Sequence, residues 1–81
     1  MRVTMRLFAA QREAVGSATH VLDLRAGATA AQAFNELTKQ HPQLARLRDG
    51  MAFAINRTQA TSSSVLHEGD ELALLPPVAG G

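Results

Sequence analysis

Thr29 and Pro42 bracket the one segment long enough to form a helix of several turns, and the rest of the chain has to be arranged around it. Thr29 followed by Gln32 is a T-x-x-Q capping box, in which each side chain accepts a hydrogen bond from the other residue's backbone N–H. Ala30, Ala33, Phe34 and Leu37 fall on one helical face, with Gln32, Asn35, Glu36 and Lys39 elsewhere. Pro42 disfavours helical geometry in the residue before it, so the helix ends near Gln40 or His41. A helix with a single apolar stripe needs another layer to bury that stripe against.

The flanking segments supply strands. Val3, Met5 and Leu7 alternate with Arg2, Thr4 and Arg6, which predicts a strand over about residues 2–9. Residues 11–15 suit a short helical turn closed by Gly16, and residues 18–24 a second strand broken by Ala26-Gly27. Beyond the helix, Leu44 and Leu47 predict a short irregular turn under the sheet, and Asp49-Gly50 marks another turn. Residues 51–55 form a third strand with Met51, Phe53 and Ile55 on one face. Residues 56–64 are polar, with a short edge strand expected around Gln59-Ala60 and a mobile run at Thr61-Ser62-Ser63-Ser64. Glu68-Gly69-Asp70 is a turn, and residues 71–75 form the last strand.

Strand, strand, helix, strand, strand is an α+β order. It predicts a β-grasp, or ubiquitin-like, arrangement: one mixed sheet with one main helix packed across one face. Residues 1–75 make that domain, and residues 76–81 an extended Gly-Gly tail. Strand parity adds a detail. If Val3, Met5 and Leu7 face the helix, Phe8 points away, and if Leu72 and Leu74 face in, Leu75 points out. Were those strands neighbours, Phe8 and Leu75 would form an exposed apolar patch, the kind that marks a partner surface. The other reading is that Phe8 covers the end of the core beneath a loop.

Composition removes several function classes. The chain has 81 residues, 46% hydrophobic and 19% charged, with a net charge of +1. That is a globular balance for one domain. The eight Lys/Arg are scattered with no interleaved aromatics, which argues against nucleic acid. There is no cysteine, hence no disulfide, no Cys-based zinc site and no Cys nucleophile. No apolar run approaches a membrane span and no signal-peptide pattern opens the chain, so the expected location is the cytoplasm. His20, His41 and His67 lack metal-like spacing and are expected at the surface. No phosphate-binding glycine loop is present, so no nucleotide site is expected on this chain.

The remaining distinctive group is at the end. Pro76-Pro77 holds the segment extended, and Gly80-Gly81 carries no Cβ and enters slots that exclude side chains. The alternative is an ordinary frayed terminus. A carboxylate is a poor acyl donor until adenylated, after which a sulfur or nitrogen nucleophile displaces the adenylate. With no ATP site here, a partner has to perform the activation, and the tail has to enter that partner's active site.

These residues carry a resemblance. Leu7-Phe8-Ala9 with Arg12-Glu13 and Val15-Gly16 resembles the first strand and turn of the molybdopterin synthase small-subunit (MoaD) family of ubiquitin-like sulfur carriers. Asp49-Gly50 and Ile55-Asn56 resemble its middle hairpin. Residues 68–81, Glu68-Gly69-Asp70-Glu71 through Pro76-Pro77-Val78-Ala79-Gly80-Gly81, are similar to its end almost residue for residue. The resemblance covers essentially the whole chain. It implies that Gly81 is adenylated by an E1-like activating enzyme (MoeB) and converted by a sulfurtransferase to a thiocarboxylate. It further implies sulfur delivery inside the large subunit (MoaE) to cyclic pyranopterin monophosphate, building the molybdopterin dithiolene. On this reading the chain is a non-catalytic sulfur-donor subunit of a heterotetramer. It binds no cofactor or metal itself, and ATP is used by the activating partner. Gly80 permits threading, Pro76, Pro77, Val78 and Ala79 line the partner's channel, and Phe8 and Leu75 contribute to docking. One departure is Leu74-Leu75, where aromatic residues are common in the family, so the docking patch has less aromatic area.

Three other readings stay open: a sulfur carrier for thiazole synthesis, a ubiquitin-like modifier or tRNA-thiolation carrier, and a β-grasp binding module with no covalent role.

Overall fold

The alternation of the first strand is carried into the packing residue by residue. Val3, Met5 and Leu7 are sealed from solvent in β1 (Arg2–Leu7), while Arg2, Thr4 and Arg6 between them are not. The structure, a computed structural model, describes residues 1–77. After β1 come a short helix α1 (Ala9–Val15), β2 (Thr19–Asp23), the main helix α2 (Ala30–Gln40) and a 3-10 helix (Pro42–Leu47). Strands β3 (Ala52–Ile55), β4 (Thr58–Ala60) and β5 (Glu71–Leu75) complete the order.

The five strands form one sheet in the order β2-β1-β5-β3-β4. The central pair β1 and β5 is parallel, and every other pair is antiparallel, so the sheet is mixed as expected. Parallel pairing requires a long crossover, which α2 and the β3–β4 hairpin provide. Helix α2 buries Ala30, Ala33, Phe34 and Leu37, the stripe read from its sequence, in one core with Val3, Met5, Leu7, Leu72 and Leu74.

Helix α2 starts where its capping box predicts. Gln32 N–H donates to Thr29 Oγ1 at 3.3 Å, and Thr29 N–H donates to Gln32 Oε1 at 2.9 Å. It ends at His41, immediately before Pro42. Two further N-terminal amides find unexpected partners: Ala30 N–H donates to the Ser64 carbonyl and Ala31 N–H to the Ser62 carbonyl. The serine run, expected to be mobile, thus supplies carbonyls to the start of α2. Thr61 N–H also bonds Ser64 Oγ at 3.0 Å, closing the run into a turn that caps the helix.

Other boundaries shift for local reasons. β1 stops at Leu7 rather than residue 9, because Phe8 becomes the N-cap of α1. β2 is one residue shorter at each end than the predicted 18–24, and β3 begins at Ala52, after the Asp49-Gly50 turn. The edge strand β4 exists and joins β3 through Asn56 and Arg57, both at positive φ of 51° and 68°. That pair of conformations is the type I′ signature, and it matches the right-handed twist of the hairpin.

Candidate functional site

Strand β5 has two faces with opposite fates. Leu72 and Leu74 are fully buried, whereas Leu75 is 36% exposed. The parallel register pairs Leu7 with Leu74, and one further step sets Phe8 beside Leu75. Phe8 has extended backbone (φ −132°, ψ 152°) and a half-buried ring on the face opposite Leu7. The two residues therefore share the helix-free face, as strand parity predicted. Ala52, paired with Leu75, and Ala73, paired with Ala54, continue this face with small side chains.

Arg6 frames the patch. Its guanidinium carbon lies 5.7 Å from the centre of the Phe8 ring, and Nη1 is 3.6 Å from Glu71 Oε1. Both charged groups are about a third exposed, so the pair contributes little to stability, roughly 0–1 kcal/mol. It does hold Arg6 at the edge of the ring. Arg6 was missed as a site residue although a signal existed: it lies two positions before Phe8 and so on the same strand face.

Immediately beyond Leu75, Pro76 and Pro77 line a shallow groove of about 320 Å³ together with Ala9, Gln11, Arg46 and Leu47. Its walls come from α1 and the 3-10 helix. Gln11 is 1% exposed, and its Oε1 has no hydrogen-bond partner among the described residues. Val78, Ala79, Gly80 and Gly81, the other predicted site residues, lie outside the described residues.

The acidic turn before β5 holds the sheet together. Asn56 Nδ2 donates to Asp70 Oδ1 at 2.9 Å, and Glu71 N–H donates to Asn56 Oδ1 at 2.9 Å. His67 N–H donates to Asp70 Oδ2 at 2.8 Å. The Asn56 hydrogen bond, with that of the His67 amide and the nearby His67 ring, holds the Asp70 carboxyl below its ordinary pKa against the opposing effect of burial. These contacts tie the β3–β4 hairpin to the start of β5.

The histidines divide differently from expectation. His67 is exposed, but His20 and His41 are half-buried and meet edge to face at 5.6 Å between ring centres. His20 Nε2 lies 3.0 Å from Gln40 Oε1. The tertiary fold joins β2 to the end of α2, which linear spacing does not reveal. Among the described residues, no three His, Cys, Asp or Glu converge as a metal site, and no helix is long and apolar enough to cross a membrane.

Comparison with known proteins agrees with the fold. The model of the ThiS family matches residues 5–81. A molybdopterin synthase sulfur carrier subunit from Arabidopsis thaliana is 32% identical over 100% of this chain and 84% of its own length. Small archaeal modifier protein 1 from Haloferax volcanii is 36% identical over 94% of this chain and 97% of its own. The crystal structure of SAMP1 from Haloferax volcanii superposes with a TM-score of 0.88 at 34% identity, covering 100% of both chains. With a β-grasp sheet, an open Phe8/Leu75 face and full-length relatives of these names, the chain belongs to the ThiS family, in the company of the molybdopterin synthase sulfur carrier subunits.

Proposed function

We propose that this chain is the sulfur-carrying small subunit of a molybdopterin synthase. The observation that carries the reading is spatial: β5, anchored by Leu72 and Leu74, runs straight from exposed Leu75, beside half-buried Phe8, into Pro76-Pro77. A docking surface and the root of a reactive tail are then contiguous, so one partner engages both. The Arabidopsis relative's description as a sulfur carrier subunit supports the same chemistry.

In this reaction sequence the Gly81 carboxylate attacks the α-phosphate of ATP in the activating enzyme's site, releasing pyrophosphate. The outer sulfur of a sulfurtransferase's persulfide attacks the acyl carbon and displaces AMP, and a thiol then cleaves the resulting acyl disulfide, leaving the thiocarboxylate on Gly81 and a disulfide on the donor side. Gly80 lets the chain pass a slot too narrow for a Cβ, with Val78 and Ala79 following it. Inside the large subunit the sulfur passes to cyclic pyranopterin monophosphate, and two such deliveries form the dithiolene. Phe8 and Leu75 hold the large subunit during transfer. This chain contributes the donor group, and the partners contribute ATP binding and catalysis.

Intact mass spectrometry with C-terminal fragmentation tests the proposal. After incubation with ATP, a cognate activating enzyme and a sulfur donor, an oxygen-to-sulfur exchange confined to Gly81 is expected. Failure to form either adenylate or thiocarboxylate there sinks the carrier reading. The Haloferax relative, named as a modifier protein, favours a second reading in which Gly81 is joined to lysines of other proteins. A conjugate that survives denaturation and reduction would select it.

A further inference from the structure

The Asp49-Gly50 turn reads from sequence as an ordinary connection into β3. The sheet gives it a neighbour. β3 and β5 are antiparallel, with Ala52 opposite Leu75. Two further steps of that register set Gly50 opposite Pro77. The backbone agrees: Gly50 has φ +78°, and a Cβ built on it would lie 2.9 Å from Pro77 Cβ and 3.4 Å from Pro77 Cγ. Gly69 has nearly the same φ, +82°, yet a Cβ there meets nothing within 4 Å. Both positions require the left-handed conformation, but only Gly50 also requires the absence of a side chain.

We propose that Gly50 is a positioning residue for sulfur loading and transfer. The bare backbone of its turn forms a seat for the Pro77 ring, which also lines the adjacent groove with Gln11, Leu47 and Asp49. The inference rests on the carrier reading and adds what that reading lacks. Two prolines stiffen a stalk but do not fix its angle to the body, because proline restricts only its own φ and the residue before it. Pressing Pro77 against the Asp49-Gly50 turn fixes the angle. The four residues that follow span at most about 14 Å when extended. A docked body whose tail leaves at the wrong angle cannot recover that error within so short a reach.

Asn is the L-residue best suited to the left-handed region, so Gly50→Asn isolates the added Cβ, and Gly69→Asn controls for the conformation. In the wild-type chain, nuclear Overhauser contacts are expected between the Gly50 Hα protons and the Pro77 ring. With the activating enzyme and ATP, Gly50→Asn is expected to lower kcat for Gly81 adenylation about tenfold or more, with KM within about twofold. Gly69→Asn should stay within about twofold of wild type in both. Pro77→Gly empties the seat from the other side and should show a similar kcat loss. The double variant should be no worse than the poorer single, because both act through one contact. If Gly50→Asn does not fold, the proton contacts and Pro77→Gly still decide the matter. Absent contacts, a Gly50→Asn chain that matches Gly69→Asn, or losses that multiply in the double variant overturn the seat. A wild-type chain that is never adenylated overturns the carrier reading instead, while the Gly50–Pro77 contact stands or falls by resonance data alone.

Discussion

The two faces of this sheet are built from the same strands and do opposite things with their apolar residues. On the inner face Val3, Met5, Leu72 and Leu74 are 0% exposed beneath α2. On the outer face Phe8 and Leu75, one residue along from fully buried Leu7 and Leu74, remain partly open. The inner residues are accounted for by burial. The outer ones gain less by it, and their partial exposure is what the proposed docking surface would use. A strand that alternates apolar with polar serves one master. Where β1 and β5 end, apolar residues occupy both parities, and there the fold alone no longer explains the sequence.

That contrast gives its own tests. Leu72→Ala should have the largest effect on the fold, costing about 2–5 kcal/mol, because no neighbour is free to fill the void. A thermal melt would show it as a large fall in Tm, and a small one would erase the distinction between the faces. Phe8→Asp should leave the melt almost unchanged while weakening large-subunit binding at least about tenfold, roughly 1.4 kcal/mol. Phe8 is the N-cap of α1, with extended backbone, and Asp is among the favoured residues at such a position. If Phe8→Asp unfolds the chain, the ring belonged to the core and the outer face is not a docking surface.

Smaller effects sharpen the contrast. Thr29→Ala should cost about 1 kcal/mol in denaturant unfolding, since it removes the side-chain acceptor of the α2 cap. A loss well under that would mean that the Ser62 and Ser64 carbonyls alone hold the helix start. The least is expected from Asp70. Its folded pKa is depressed, so its contribution to stability is present above the unfolded value, about 4, and is lost as pH falls through the folded one. Asp70→Asn should lower stability modestly above about pH 4 and flatten the acid side of the profile, so that the variant and the wild type converge at low pH.

How much of this was legible in the sequence depends on the range of the interaction. The capping box, the Pro42 stop and the β1 alternation are local, and they appear where the residues put them. The outer position of Phe8 and Leu75 followed from strand parity once β1 and β5 were supposed to be neighbours. The serine turn did not follow. Four polar residues look the same whether they face water or offer carbonyls to a helix start. The β3–β4 hairpin was faint because Asn56-Arg57 adopts a turn usually announced by Asn-Gly. Contacts such as His20 with His41, or Gly50 with Pro77, exist only after the sheet has brought distant segments together.

The central pairing of β1 with β5 has a consequence in time. The first strand made during synthesis can pair with β2 early, but its parallel partner β5 is made some sixty residues later, since Met5 pairs with Leu72. Nonlocal parallel pairing of this kind is slow compared with helix formation. A partly made chain therefore has neither a finished core nor the junction of Phe8, Leu75 and Pro77. On the proposed carrier function, an activating enzyme that read that junction would pass over nascent and unfolded copies, and the topology would act as a check on which molecules are loaded with sulfur.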